Sequence, residues 1–310
     1  MIEVIAQSEA MREIVRLAER VAPTDANVLV TGESGTGKDA LARLIHEKSR
    51  RAIGGEYVRI DCAALPGELL EAELFGYERG AFSGAVTQKP GRVEAAHKGT
   101  LVLDEIAYLS TEAQAKLLRV IEEREFERLG GQRTIKVDAR LIALTNVDLG
   151  AAVKRRAFRE DLFYRLNVVH IHVPPLRDRR ADVKPLAEKL LCLTAHKHGR
   201  ALGEFSSEAL QLLEAYDFPG NVRELAHAIE RAVIVADGHA VNAGDLPESL
   251  RAAVEQQRRQ LSRPTLAEVE AAYVVETLAF AAGNKAKAAR LLGISRKNLY
   301  EKLAKLKYER

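Results

Sequence analysis

The feature that constrains this chain most is a glycine-rich segment between an apolar run and a helical pattern. It consists of Gly32, Glu33, Ser34, Gly35, Thr36, Gly37, Lys38 and Asp39. Glycines let the backbone wrap closely around a polyphosphate, the following helix offers its positive end, and the lysine can reach the terminal phosphates. An ordinary strand–turn–helix connection is the alternative. The spacing of the glycines, the lysine and the flanking elements favour a phosphate-binding loop.

One residue departs from the general pattern of such loops. The pattern has Ser or Thr after the lysine, whose hydroxyl helps to hold Mg²⁺, but this chain has Asp39. We therefore expect Mg²⁺ to depend more on a distant carboxylate.

Strand-like and helix-like segments alternate around this loop. Apolar runs predict five strands, at residues 28–31, 57–61, 101–104, 141–145 and 168–173. The alternation predicts an α/β fold with a mostly parallel sheet, helices on both faces and ligands at the carboxyl ends of the strands. An amphipathic pattern at residues 8–22 predicts a helix ahead of the loop.

Strand signals stop near residue 174 and helical periodicity replaces them. The helical segments lie at residues 183–197, 207–216 and 222–236. They predict a second, helical subdomain, in which Arg223 could swing onto a nucleotide from the first turn of the last helix.

Two acids, Asp104 and Glu105, follow the third apolar run. In a nucleotide site the first would orient Mg²⁺ or its waters, and the second would polarise the attacking water. A strand ending at the surface is the alternative, but the phosphate loop favours catalysis. Thr111 and Gln114 have the spacing of a capping box for a helix over residues 112–125.

Further polar residues lie between the fourth and fifth predicted strands. Asn146 comes directly after the fourth strand, where it could sense a γ-phosphate. Arg159 and Arg165 are guanidinium groups suited to stabilising charge on a transferring phosphoryl group, also from a neighbouring subunit. A simple turn and a salt-bridged surface are the respective alternatives.

Composition places the chain among water-soluble proteins. No apolar stretch is long enough to cross a bilayer, and residues 1–5 lack the pattern of a signal peptide. We therefore expect a cytoplasmic protein without a membrane partner. Cys62 and Cys192 lack metal-ligand spacing and are expected to be buried free thiols.

Charge is distributed unevenly along the chain. Residues 283–310 hold nine Lys or Arg against two Glu, although the whole chain carries only +3. Helical patterns at 285–292 and 296–306, separated by a turn in which Ser295 caps the second helix, predict a helix-turn-helix. Arg296, Lys297 and Asn298 would face the DNA major groove, with strongly salt-dependent binding. A plain helical hairpin is the alternative.

The segment ELFGYERGAFSGA at residues 73–85 makes the chain recognisable. It resembles the GAFTGA loop of the NtrC-like bacterial enhancer-binding proteins, which are AAA+ activators of sigma-54 RNA polymerase. The resemblance implies an AAA+ P-loop ATPase with a five-stranded parallel sheet and a helical lid, followed by an all-α Fis-like helix-turn-helix domain. The expected boundaries are 1–173, 174–248, a linker with partial helical character at 249–264, and 265–310.

The same resemblance assigns functions to particular residues. ATP and Mg²⁺ would be held by the phosphate loop through Lys38 and by Asp104, with Glu105 activating water. Asn146 and Arg223 would be sensors, and the trans-acting arginine fingers would be Arg159 and Arg165. Sigma-54 would be gripped by the segment Gly80, Ala81, Phe82, Ser83, Gly84 and Ala85. DNA would be contacted by Arg296, Lys297, Asn298 and Lys302.

Three residues differ from common patterns. Ser83 replaces the usual threonine of the loop and loses a methyl group. Asp61 replaces the asparagine that restrains the catalytic glutamate, and an acid there would repel Glu105 if both were ionised and close. Asp39 stands where this family commonly has glutamate.

The resemblance also implies partners: sigma-54 RNA polymerase, enhancer DNA, and copies of the chain in a dimer-to-hexamer ring. Many relatives in two-component systems carry a sensing domain before the ATPase. This chain reaches its first helix within about ten residues, so either a separate regulatory protein controls it or a sensor has been removed. Two alternatives remain open: a non-hydrolysing DNA-binding repressor, which the acid pair disfavours, and another ring ATPase, which residues 80–85 disfavour.

Overall fold

The structure, a computed structural model, describes residues 4–261 and 265–305. The chain divides into two compact units, Met1–Pro247 and Glu248–Arg310. The first unit contains, in chain order, α1 (Glu9–Val21), β1 (Val28–Thr31), α2 (Lys38–Glu47), β2 (Tyr57–Asp61), α3 (Gly67–Phe75), β3 (Gly76–Tyr77), β4 (Lys89–Pro90), α4 (Arg92–Ala95), β5 (Thr100–Asp104), α5 (Thr111–Glu122), β6 (Glu125–Glu127), β7 (Thr134–Lys136), β8 (Arg140–Thr145), α6 (Leu149–Lys154), α7 (Glu160–Leu166), β9 (Val169–His172), α8 (Val183–Lys197), β10 (Glu204–Phe205), α9 (Ser207–Ala215), α10 (Asn221–Val235) and β11 (Ala240–Val241). The second unit contains α11 (Glu248–Leu261), α12 (Leu266–Phe280), α13 (Lys285–Leu291) and α14 (Arg296–Lys305).

A parallel five-stranded sheet forms the centre of the first unit, with the order β2-β5-β8-β1-β9. Every residue of β8 is buried, as a central strand covered on both faces requires. The predicted fold is therefore confirmed, with each of the five expected strands present within one residue or so of its expected bounds.

Alternating side chains of β1 divide the hydrophobic core into two layers. Val28 and Val30 pack in the layer that includes α1 and α2. Leu29 packs in the opposite layer, built from α3, α4, α5, α6 and α7. The phosphate loop therefore leaves the sheet between two well-packed layers.

Arg140, the first residue of β8, is a fully buried cation. It donates to the carbonyl oxygens of Val21 (3.0 Å), Ala22 (2.8 Å) and Ala26 (3.1 Å). The last carbonyls of a helix have no partner within the helix and carry its negative end. Arg140 therefore caps the carboxyl end of α1.

A helical lid follows the sheet and comprises α8, α9 and α10 with the small β10–β11 pair. The short 3₁₀ turn Arg180–Asp182, which leads into α8, contains Asp182, and this residue is completely buried. The Asp182 carboxylate accepts from the backbone N–H groups of Gln7 (2.6 Å) and Ser8 (2.7 Å) and from the Ser8 hydroxyl (2.7 Å). These bonds tie the segment before α1 to the base of the lid.

Two local expectations are wrong. The cap of α5 is Ser110, whose Oγ accepts from the Ala113 N–H (3.1 Å), and Thr111 lies inside the helix. Cys62 is buried as expected, but Cys192 is exposed on α8 because it lies on the solvent side of that amphipathic helix.

The second unit has its own small core. It is formed by Val274, Leu278, Ala281, Ala288, Ala289, Leu299 and Leu303 of α12, α13 and α14. Residues 249–264, expected to be a linker, are helical as far as Leu261, and residues 262–264 lie outside the described part. Across the described residues no helix has the length and apolarity needed to cross a membrane.

Candidate functional site

The phosphate loop joins β1 to α2 at the carboxyl edge of the sheet. Gly35 (φ 77°) and Gly37 (φ 97°) adopt left-handed backbone conformations that residues with a Cβ rarely take. Lys38 is buried, and its ammonium donates to the carbonyl oxygens of Gly32 (2.8 Å) and Glu33 (3.0 Å). Burial lowers the pKa of Lys38, against the opposing charges of Glu105 and Asp104.

The lid contacts this loop directly. The predicted Arg223 donates to the Ser34 hydroxyl (2.7 Å), and the Asn221 amide donates to Glu33 Oε2 (3.1 Å) and Ser34 O (3.0 Å). Arg177 forms a bidentate pair with Glu33, with a shortest distance of 2.6 Å. The hydrogen bonds of Arg177 and Asn221 lower the Glu33 pKa to about 2.

A further lid residue, Arg179, is nearly fully buried and donates to the Thr36 carbonyl (2.6 Å). Its Nε atom has no hydrogen-bond partner in the described structure. Sequence reasoning missed Arg177, Arg179 and Asn221 as loop contacts. The run of arginines after Pro175 was the available signal, but nothing in the sequence indicates which of them turns inward.

The two acids after β5 lie beside the loop. Asp104 accepts from the Glu105 N–H through Oδ1 (3.1 Å) and is paired with Arg59 through Oδ2. Glu105 has a left-handed backbone (φ 53°), which is uncommon outside glycine and marks a constrained position. Its Oε2 accepts from the Asn146 N–H (3.3 Å), so the backbone of Asn146, after β8, holds the proposed base.

Asp61 lies opposite Asp104 in the register of β2 and β5. Its side chain is turned into its own loop, where Oδ1 accepts from the Ala63 N–H (2.9 Å). The adjacent Cys62 thiol is buried, which raises its pKa to about 12 and keeps it protonated.

Asp39, the residue that departs from the general phosphate-loop pattern, is contacted by two side chains of β2. The Tyr57 hydroxyl donates to its Oδ1 (2.9 Å), and the Arg59 Nε lies 3.3 Å from the same oxygen. Burial, and then the charge of Asp39, raise the pKa of Tyr57. Asp39 and Asp104 thus share the guanidinium of Arg59.

Arg159 and Arg165 make their side-chain contacts with elements other than this loop. The Arg159 guanidinium pairs with Asp161 (2.7 Å), and the Arg159 backbone N–H donates to the side-chain oxygen of the buried Gln114 (2.8 Å). Arg165 pairs with Glu122 (2.7 Å), and its carbonyl accepts from Asn27 (2.9 Å), which precedes β1. Arg165 is therefore at the amino edge of the sheet, about 13 Å of strand from the phosphate loop.

The segment Gly80–Ala85 is an exposed turn, closed by a hydrogen bond from the Gly80 N–H to the Ala85 carbonyl (2.8 Å). Phe82 remains 42% exposed, with its ring edge against Tyr77 (centroids 4.9 Å apart). The base is held by Arg128, which binds Glu78 (2.9 Å) and Glu94 (2.7 Å). The turn therefore has a fixed base and an exposed aromatic tip.

The second unit contains the expected pair of short helices. Ser295 Oγ accepts from the Asn298 N–H (3.2 Å) and caps α14. Arg296, Lys297 and Asn298 are exposed in its first turn. Lys302 is partly covered and pairs with Glu270 of α12 (2.7 Å).

Comparison with known proteins gives matches along nearly the whole chain. Residues 4–172 match the family described as "Sigma-54 interaction domain", residues 177–263 match "AAA+ ATPase lid domain", and residues 265–306 match "Bacterial regulatory protein, Fis family". Regulatory protein AtoC of Escherichia coli K12 is 47% identical over 308 residues, which cover 97% of this chain and 67% of AtoC. Transcriptional regulatory protein FlbD of Caulobacter vibrioides is 43% identical, covering 96% and 69%.

Solved structures also match nearly the whole chain. NtrX from Brucella abortus in complex with ADP has a TM-score of 0.76 at 35% identity, covering 98% of this chain and 70% of NtrX. The NtrX complex with ATP also has a TM-score of 0.76, covering 98% and 69%. The match to a nucleotide-bound protein extends over both units of the chain.

Proposed function

Because this chain belongs to the sigma-54 interaction domain family, with an ATPase unit and a Fis-type DNA-binding unit, we propose that it activates transcription by remodelling sigma-54 RNA polymerase. It would bind upstream DNA, assemble into a ring and use ATP hydrolysis to convert the closed promoter complex into the open complex. Its place of action would be the cytoplasm, where polymerase and promoter meet.

The observation that carries the proposal is the exposed turn Gly80–Ala85 on the ATPase unit. The Phe82 ring stands between two glycines and remains exposed, so it is available for contact with a partner. Arg128 fixes the base of the turn, so that movement of the ATPase unit would displace the tip. We assign the grip on sigma-54 to this turn, centred on Phe82 and Ser83.

A chain of contacts supports coupling between the acids and the turn. A short 3₁₀ turn, Ile106–Tyr108, follows Glu105 and leads to Ser110. The Ser110 hydroxyl donates to Glu71 of α3 (2.8 Å), which Lys116 also pairs with (3.0 Å). Helix α3 runs directly into the segment that carries Gly80. A shift of Glu105 on hydrolysis would therefore reach the turn through a single helix.

Hydrolysis would use the groups gathered at the carboxyl edge of the sheet. Lys38 would bind the β- and γ-phosphates in place of the loop carbonyls, and Glu105 would accept a proton from the attacking water. Arg223 would move from Ser34 to the nucleotide. Asn146 would hold Glu105 through its backbone while its exposed side chain faces the γ-phosphate.

The acids also fit a magnesium ion by their chemistry. Mg²⁺ is usually held by one or two carboxylates together with substrate phosphates, and Asp39 and Asp104 offer carboxylates on one side of the loop. When bound, the ion would neutralise charge on the phosphates. The described residues contain no cluster of three or more metal-binding side chains, so phosphate oxygens and water would complete the site.

Ring assembly is part of the proposal because Arg165 cannot serve its own phosphate loop. It lies at the amino edge of the sheet, whereas the loop leaves the carboxyl edge. Arg165 would therefore act on the nucleotide of a neighbouring subunit, and the family resemblance assigns the same role to Arg159. ATPase activity per subunit should rise with protein concentration, and a flat dependence down to monomer would contradict this assignment.

Reconstituted transcription with sigma-54 polymerase, with and without ATP, tests the whole proposal. Open complexes should form only with hydrolysable ATP. Ser83→Trp should stop open-complex formation while ATPase activity survives, and Ser110→Ala should weaken both the cap of α5 and the coupling. Loss of ATPase activity and open-complex formation together in the Ser83 variant would mean that the turn is merely structural. ATP-independent repression would instead favour a DNA-binding repressor.

A further inference from the structure

Acidic residues lie at the ends of β2 and β5 and at the start of α2, at the carboxyl edge of the sheet. Carboxylates come from Asp39, Asp61, Asp104 and Glu105, and all four belong to adjacent elements of one sheet edge. Lys38 is turned into the loop carbonyls. Arg59 is therefore the cation that directly contacts two of these carboxylates.

Strand geometry explains how Arg59 reaches both acids. Alternate residues of β2 are buried, so Tyr57, Arg59 and Asp61 share the opposite face. From that face the Arg59 Nη2 pairs with Asp104 Oδ2, and its Nε lies 3.3 Å from Asp39 Oδ1. The hydrogen bond to Asp104 is the largest cause of a raised pKa at Arg59.

The same oxygens are those that a divalent cation would need. Asp104 Oδ1 already accepts from the Glu105 N–H, and Arg59 occupies Oδ2. The Asp104 side chain is only 15% exposed, whereas Arg59 is 43% exposed. Arg59 can therefore swing into solvent, while Asp104 stays in place.

We propose that Arg59 is a positioning residue that neutralises Asp39 and Asp104 in the nucleotide-free protein and leaves them when a divalent cation enters with the nucleotide. It thereby sets how strongly cation and nucleotide binding are coupled. This inference rests on the proposed ATPase site, and it assigns to this chain a tethered cation that competes with the metal.

The test compares nucleotide affinity with and without the cation. The dissociation constant of a fluorescent, non-hydrolysable ATP analogue is measured in EDTA and at saturating Mg²⁺. The constant in EDTA divided by the constant in Mg²⁺ reports the coupling between cation and nucleotide binding. Arg59→Met should increase this ratio about two- to fivefold, because a partly exposed ion pair contributes about that much. Arg59→Lys, which keeps the charge, should lie closer to the wild type.

A matched control is available on α5. Arg119 is also half exposed and also lies near two carboxylates, Glu123 (3.2 Å) and Glu127 (3.6 Å), at a distance from the loop. Arg119→Met should leave the ratio unchanged. Electron paramagnetic resonance of Mn²⁺ with nucleotide-free protein gives a second readout, in which Arg59→Met should retain more bound Mn²⁺ than the wild type.

Two outcomes would overturn the inference. An unchanged or smaller ratio in Arg59→Met would mean that the guanidinium does not compete with the cation. If the unchanged ratio comes from an equal loss of affinity in EDTA and in Mg²⁺, Arg59 binds the nucleotide itself. Failure of the wild type to bind the analogue under either condition would instead contradict the proposed ATPase site.

Discussion

Replacing Arg140 by methionine should destabilise the ATPase unit by about 2–4 kcal/mol. Arg140 is 1% exposed and donates to three backbone carbonyls at the end of α1. The Val21 carbonyl keeps a partner, because Thr24 also donates to it (2.8 Å). Ala22, which is buried, and Ala26, which is half-buried, lose the donors described for their carbonyls, and a buried acceptor left unpaired costs about 1–3 kcal/mol. Removing a buried charge offsets part of this cost.

Hydrogen exchange followed by mass spectrometry suits this measurement. The chain contains no tryptophan, and its two units can unfold separately, so one global transition would not isolate the effect. Peptides that cover α1 and β8 should exchange faster in Arg140→Met by the factor that corresponds to this free energy. Peptides from α13 and α14, in the other unit, provide an internal reference.

Arg124→Met is the matched control for this prediction. Arg124 pairs with Asp138 but is 58% exposed, so its removal should cost less than about 1 kcal/mol. A loss below about 1 kcal/mol in the α1 and β8 peptides of Arg140→Met would refute the reasoning. An equal loss of stability in the α13 and α14 peptides would also refute the reasoning, because the substitution would then affect both units alike.

Three further predictions concern the nucleotide site. Glu105→Gln should keep ATP affinity but lower turnover at least about 100-fold, because an amide accepts no proton. Phosphate release measures the turnover, and a near-normal rate would show that Glu105 is not the base. Gly35→Ala would place a Cβ 2.4 Å from the Gly220 carbonyl at a φ of +77°, so the ATP affinity measured by titration should fall at least about fivefold. The control is Gly199→Ala, which also has a positive φ (+63°) but open space around its Cβ, and it should leave the ATP affinity unchanged. The pKa of Glu33 is lowered from 4.5 to about 2, so its pair with Arg177 stabilises the protein fully above pH 4.5 and loses this contribution as the pH falls toward 2. Melting temperatures should therefore show less acid sensitivity in Glu33→Gln than in the wild type, and equal sensitivity would contradict the pairing.

Local sequence signals were sufficient to predict the elements of the fold. The strand at residues 57–61 was predicted at its observed bounds, because an alternating run between turn residues has few other ways to be buried. The order of the five strands was not predictable from spacing, since it depends on which crossovers the helices permit. The hairpins β3–β4 and β6–β7 were missed because each strand has only two or three residues.

Contacts between distant segments account for most of what the sequence did not reveal. Nothing in the sequence sets Arg59 apart, and only the packing of β2 beside β5 and α2 brings it to Asp39 and Asp104. Arg179 sits in a run of similar arginines, and its burial depends on the packing of the lid. Ser110 and Thr111 are both good caps, and the exact start of α5 was decided by the preceding 3₁₀ turn.

The buried carboxylate of Asp182 has a mechanical consequence. It fastens the backbone just before α1 to the first turn of the lid, and three residues earlier Arg179 fastens that turn to Thr36. A pull on the chain where it enters the ATPase unit is thus transmitted to the floor of the nucleotide pocket through two side chains. The segment before α1, the lid and the phosphate loop are therefore mechanically coupled, and rotation of the lid must either move this segment or break its three hydrogen bonds.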